Sequence, residues 1–202
     1  MERVALTFDD GPAEWTEPIL DVLSEHSARA TFFVIGIAAE QRTDLVGRMR
    51  VEGHEVGNHT WSHPRLARDC EDARVHEELE RTNALLAEIL GRPPGRFRAP
   101  HYDLDNRVLG IASRLDLVHT RGDVTPPDWD ESCTARFITT FVVQQAQANI
   151  VIGLHDGVPP KTRKKRSQQA TVDAVRAIVP RLLDHGYECV TASDILSEPP
   201  NG

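Results

Sequence analysis

The chain has few cysteines, few aromatic residues, no long apolar run and fewer positive than negative charges. Its 3 cysteines, Cys70, Cys133 and Cys189, are odd in number, far apart and without a C-x-x-C spacing. This excludes a disulfide framework and a cysteine zinc site alike. No apolar stretch approaches the roughly 20 residues of a membrane-spanning helix. The run Val4-Ala5-Leu6 behind Met1-Glu2-Arg3 is too short for the core of a secretory signal. These absences lead to the expectation of no membrane span and a cytoplasmic location. The formal net charge of -8 excludes general nucleic-acid binding, because a surface that neutralises phosphates needs an excess of Lys and Arg.

What the chain does have is enough apolar material for one full core: 202 residues, 40% of them hydrophobic. We expect a single domain over residues 1-197 and a short tail at 198-202. Apolar runs rich in β-branched or aromatic residues recur at Val4 to Phe8, Ala30 to Ile35, Glu55 to Gly57, Arg96 to Ala99, Leu117 to Thr120, Ile150 to Leu154 and Glu188 to Thr191, and they read as strands. Between them lie helical patterns. One carries Ile19, Leu20 and Leu23 behind the cap candidate Thr16, and another carries Leu79, Leu85, Leu86, Ile89 and Leu90, closed by Gly91. Further helices are expected over 37-51, 104-114, 132-147 and 168-185. Strand and helix alternate about seven times, which predicts an α/β fold with a parallel sheet, either open or closed as a barrel.

Functional residues of such folds gather at the C-terminal ends of strands. Asp9 and Asp10 end the first run, His59 follows the third, Arg98 and Pro100 end the fourth and His155 ends the sixth, so all share one face. In Thr7-Phe8-Asp9-Asp10-Gly11-Pro12 two carboxylates stand where a strand stops and a turn begins. Two such charges repel unless a cation separates them. One Asp can then bind a metal while the other stays free as a base; a polar strand end before a turn is the alternative. His59 and His63 are four apart and share a face if the segment takes a helical turn. With one carboxylate they form a two-histidine, one-carboxylate set that leaves positions for water and substrate. His155 titrates near neutral pH and can supply a proton to a leaving group.

These residues resemble the NodB-type polysaccharide deacetylases, the fourth family of carbohydrate esterases, through motifs that span residues 5 to 156. Thr7 to Pro12 matches T-F-D-D-G-P, His59 to His63 matches H-S/T-x-x-H, and Leu154-His155-Asp156 matches L-H-D. The resemblance implies a distorted (β/α) barrel with about seven parallel strands. It implies that Asp10, His59 and His63 hold one divalent ion, zinc first, with cobalt, nickel or manganese as alternatives. Asp9 is then the base, a water at the ion the nucleophile and His155 the acid. Arg96-Phe97-Arg98-Ala99-Pro100-His101-Tyr102 resembles R-x-P-Y/F-G, which makes Arg98 the partner of Asp9, and Pro100, His101 and Tyr102 part of the substrate groove. His101 stands where the family has an aromatic residue and Tyr102 where it has glycine. Asp123 to Trp129 resembles D-x-x-D-W. The alignment puts Thr125 at the position of the Asp that orients the catalytic histidine, so His155 should be less basic unless Asp123 or Asp128 reaches it. Trp129 lines the groove in this reading.

The implied activity is removal of an N-acetyl or similar acyl group from an amino sugar or polysaccharide unit. An O-acetyl esterase, or a deacylase of a small intracellular amide, would use the same residues. A non-hydrolytic sugar-binding module on the same fold is the reading from another class. Outside the family pattern, five of the six residues from Lys161 to Arg166 are cationic. An anionic part of the substrate is the partner expected there.

Overall fold

The computed structural model describes residues 1-160, 162 and 167-196. Seven parallel strands form one sheet: β1 (Glu2–Asp9), β2 (Thr31–Val34), β3 (Glu55–Asn58), β4 (Arg96–Phe97), β5 (Val118–His119), β6 (Ile150–His155) and β7 (Tyr187–Val190). Their order is β5-β4-β3-β2-β1-β6, and β7 also pairs with β1. The first half of β1, Glu2 to Ala5, pairs with Tyr187 to Val190, and its second half, Thr7 to Asp9, pairs with Thr31 to Phe33. β6 covers the other edge from Val4 to Asp9. The chain beyond β5 closes the remaining gap through a parallel bridge between Val124 and Ile152. The outcome is the distorted, incompletely hydrogen-bonded barrel that the sequence implies.

Helices cover the outside: α1 (Thr16–Glu25), α2 (Gly36–Gln41), α3 (Thr43–Val51), α4 (Leu66–Asp69), α5 (Asp72–Leu90), α6 (Asn106–Ser113), α7 (Ala135–Gln145), α8 (Gln169–Asp184) and α9 (Ala192–Leu196). Alternation along β1 sets the layers. Val4, Leu6 and Phe8 face outward into a core with Leu20 and Leu23 of α1, Met49 of α3, Val142 of α7 and Val175 and Ile178 of α8. Burying each such side chain contributes about 1.5–3 kcal/mol. A second cluster joins Phe97 to Leu66, Leu79, Val108 and Ile111. Ala5 faces the other way and packs with Val151, Val190 and Ile195, whereas Thr7 and Asp9 bond to Arg98.

Three local expectations change. The helix expected over 37-51 is broken at Arg42 (φ -133, ψ 51), and the chain restarts at Thr43-Asp44, residue types that favour helix starts. Thr16 is the first residue of α1 rather than its cap; its hydroxyl donates to Asp156 at 2.6 Å and accepts from the N–H of Ala13 at 2.8 Å. His59 to His63 is an irregular arc and not a helical turn, with left-handed backbone at Thr60 (φ 67) and His63 (φ 60). Gly91 ends α5 at φ 77, as expected of a helix-closing glycine. The basic run singled out in the sequence lies, apart from Thr162, outside the described residues.

Candidate active site

The strand ends assemble the site. Asp9 closes β1, and Asp10 follows it with φ 75, a left-handed conformation that sends the two carboxylates in different directions. The turn beyond is held by Asp156, whose Oδ1 accepts from the N–H of Gly11 at 3.1 Å. Gly11 must be glycine, since a Cβ there would lie 2.2 Å from Asp156 Oδ2.

Asp9 turns towards the barrel interior, where its Oδ1 accepts from Arg98 at 2.8 Å. The Arg98 side chain is among the largest that are fully buried. The same nitrogen donates to Thr7 Oγ1 at 2.8 Å, and Nε donates to the carbonyl of Thr120 at 3.0 Å. The Phe33 ring lies 4.3 Å from the guanidinium carbon. So many fixed contacts leave Arg98 one position, and through it Asp9.

Asp10 turns towards the histidine arc. Its Oδ1 lies 3.1 Å from His63 Nε2 and 3.4 Å from His59 Nε2, yet it receives no hydrogen bond of acceptable geometry among the described residues. One ligand atom from each residue falls within 4.8 Å of the others. His59 Nδ1 lies 2.8 Å from the carbonyl oxygen of Arg98. That carbonyl can only accept, so Nδ1 carries a proton and Nε2 is the ring nitrogen that faces Asp10. One carboxylate and two imidazoles turned towards a common point make a donor set that fits a divalent ion. Burial by itself raises the Asp10 carboxyl, but the imidazoles of His59 and His63 and the charge of His155 overrule it and hold it far below the usual carboxylate range. Burial pushes the His59 imidazole down while the charges of Asp9 and Asp10 push it up, with a net rise.

His155 ends β6 opposite Asp9, its register partner on β1. The condition attached to His155, that it is less basic unless Asp123 or Asp128 reaches it, is resolved by Asp128. Asp128 Oδ1 lies 2.8 Å from His155 Nδ1, and Asp128 Oδ2 accepts from the His155 N–H at 2.8 Å and from Thr171 Oγ1 at 3.0 Å. Burial lowers the imidazole, but the Asp128 charge and hydrogen bond, with Asp10 and Asp9 behind them, raise it to about 10. The second Asp of the D-x-x-D-W segment thus supplies the charge that Thr125 lacks. Asp123 is committed elsewhere, accepting from the N–H of Val151 at 2.9 Å.

These groups open into a cleft of about 410 Å³ lined by Asp9, Asp10, His59, His63 and His155 together with His101, Tyr102, Thr125 and Trp129. Trp129 packs edge-on to His155 with ring centres 5.4 Å apart. Pro100 is buried at the start of a short 3-10 turn, behind the residues that line the cleft. His101 (φ 56) and Tyr102 (φ 51) carry that turn into the cleft, and the Tyr102 hydroxyl accepts from the N–H of Gly122 at 3.1 Å. Burial, then the neighbouring His63 and Arg65, lower the His101 imidazole to about 4, so it is neutral at physiological pH. Ala99, Gly153 and Pro159 also line the cleft; small or apolar and lacking chemistry of their own, they carry no signal in a sequence. A larger recess of about 740 Å³, bordered by Arg29, Arg50, His54 and Arg92, shares no residue with this cleft.

A parallel α/β barrel with an Asp-His-His set, a buried Asp-Arg pair and an Asp-His pair on one cleft defines a class of hydrolase, and sequence comparison identifies it. Residues 1–119 match the family model described as polysaccharide deacetylase. The chain belongs to this family and is a hydrolytic deacetylase. It is 38% identical over 191 residues to a chitooligosaccharide deacetylase of Bradyrhizobium sp. (strain ANU 289), covering 92% of this chain and 86% of that protein. A solved peptidoglycan N-acetylglucosamine deacetylase superposes with a TM-score of 0.88 at 34% identity, covering 99% of this chain and 90% of that one. A family 4 acetyl xylan esterase from Clostridium thermocellum, solved with a cobalt ion, gives 0.86 at 32% identity and 97% and 91% coverage.

Proposed function

We propose that this protein removes the acetyl group from an N-acetylamino sugar unit of a chitooligosaccharide or of peptidoglycan, with Asp10, His59 and His63 holding one divalent ion, zinc first. The observation that carries this reading is the convergence of that set with Asp9 on one side and His155 on the other, around a single cleft. The named activities of the relatives supply the substrate class.

A divalent ion held by Asp10, His59 and His63 would supply a Lewis acid, acidifying water and polarising the acyl carbonyl. Asp9, fixed by Arg98, takes a proton from the attacking water as its oxygen bonds to the acyl carbon. The N–H of His101, at the head of the 3-10 turn, donates to the oxygen that gains negative charge. His155 then gives its proton to the sugar nitrogen as the carbon–nitrogen bond breaks, which yields acetate and a free amine. Asp128 holds Nδ1, so that Nε2 delivers the proton. Trp129, beside His155, shields the proton transfer from water and borders the sugar.

The Asp128–His155 pair also bears on the choice between amide and ester. An ester leaving group departs with little help, and a weakened acid would have suited it. A fully protonated, carboxylate-backed imidazolium suits the amine of an amide, which leaves poorly without a proton. The test is acetate release from N-acetylglucosamine oligomers, from peptidoglycan and from acetylated xylan. We expect the amides to be hydrolysed with the higher kcat/KM. A preference for the ester would replace this reading.

A further inference from the structure

Glu78 stands in the middle of α5 and is fully buried, a rare place for a carboxylate without a purpose. Its oxygens receive both donors of one residue: Ser62 N–H to Oε2 at 2.7 Å and Ser62 Oγ to Oε1 at 2.7 Å. Arg74, one helical turn earlier, donates to the same Oε1 and provides the counter-charge. It also holds Glu77 at 2.9 Å. Apart from the Arg74 ion pair, the carboxylate's hydrogen bonds go to Ser62, the residue immediately before His63.

The arc from His59 to His63 needs such a hold. Thr60 and His63 are non-glycine residues with left-handed backbone, a conformation disfavoured by about 1–2 kcal/mol per residue. The near end of the arc is fastened by Asn58, which accepts from the N–H of Thr60 at 2.7 Å and donates to Leu79 O at 2.8 Å and to Asn83 at 2.7 Å. The far end has the bond from the His63 N–H to Thr60 Oγ1 at 3.0 Å, which lies within the arc itself, and the Ser62–Glu78 pair, which ties it to α5. His59 is set separately by the Arg98 carbonyl, and Asp10 by the end of β1.

We infer that Glu78 is a positioning residue for the ion site: it fixes the arc so that His63 Nε2 is presented beside Asp10. This rests on the reading of Asp10, His59 and His63 as ligands. Because only one of three ligands depends on Glu78, its loss weakens ion binding without erasing the chemistry once the ion is in place.

The experiment measures zinc affinity by competition with a chromophoric chelator, together with the visible spectrum of the cobalt-loaded protein and kcat at saturating zinc. It compares wild type, Glu78→Gln and Ser62→Ala. In Glu78→Gln one carboxylate oxygen becomes an amide N–H group that meets a Ser62 donor, and Arg74 keeps only Glu77 as a charged partner; Ser62→Ala removes one of the two bonds and keeps the carboxylate. The expected result is a zinc Kd raised about 10–100-fold in Glu78→Gln, the range for lost outer-sphere partners. A smaller rise is expected in Ser62→Ala, with an altered cobalt spectrum in Glu78→Gln and kcat at saturation within about threefold of wild type in both. Unchanged affinity in a folded Glu78→Gln overturns the inference. If that variant does not fold, unchanged affinity and spectrum in Ser62→Ala overturn it. Wild-type protein that binds no zinc removes the ligand reading itself, and this inference with it.

Discussion

Asp9 and Asp10 are chemically identical neighbours with opposite surroundings. Asp9 meets a buried guanidinium, and Asp10 meets two imidazoles. Substitution should therefore separate them. Asp9→Asn should lower kcat by about 10²–10⁴-fold, the range for a general base, while zinc binding stays near wild type. Asp10→Asn should lose the ion and the activity together. Zinc titration beside steady-state kinetics distinguishes the two. In the proposed mechanism His155 acts in its protonated form, and Asp128 raises its pKa, so that form persists as pH rises through neutrality. In Asp128→Asn that support is gone. The alkaline limb of the pH–rate profile should move to lower pH by at least about one unit, and an unmoved limb would mean that another group gives the proton. At this scale the grouping of Asp10 with His59 and His63 and the pairing of Asp9 with Arg98 were legible, because each residue sits in a short motif with fixed spacing. The partner of His155 stayed open between Asp123 and Asp128: both lie in one irregular loop, and only the fold shows that Asp128 reaches the imidazole while Asp123 bonds to the Val151 N–H.

Elements explain why the motifs need their small residues. The sharp turn after β1 presses the Gly11 backbone against Asp156, so that carboxylate leaves no room for a Cβ. Gly11→Ala should destabilise the protein by about 1–3 kcal/mol, the usual range for overpacking, seen as a lower denaturant midpoint. It should also reduce activity through displacement of Asp10. A midpoint equal to wild type would show that the turn relaxes freely. The strands were legible as short runs, most plainly β2 and β6, which are buried on both faces and apolar along most of their length. The short helices α4 and α9 were not, because elements of one turn have no periodicity to read. The histidine arc was misjudged for a related reason. Its shape comes from the bonds that Asn58 and Ser62 make to Leu79, Asn83 and Glu78 on α5, partners distant in the sequence.

At the scale of the whole molecule, the parallel sheet delivers the groups of the cleft to one end of the barrel, and an ion held by Asp10, His59 and His63 would tie β1 to the segment after β3. An ion that binds only the folded form stabilises it by mass action, by about 2.7 kcal/mol at a free concentration of 100 times Kd. Removal of zinc should therefore lower Tm, and readdition should restore it, as thermal unfolding with and without a chelator will show. The most direct test of the account is the joint titration of zinc content and acetate release. Protein stripped by a chelator and reconstituted stepwise should bind one zinc per chain, with acetate release from N-acetylglucosamine oligomers rising in proportion to occupancy from none. Full activity in the stripped protein, or a chain that takes up no zinc, would contradict it.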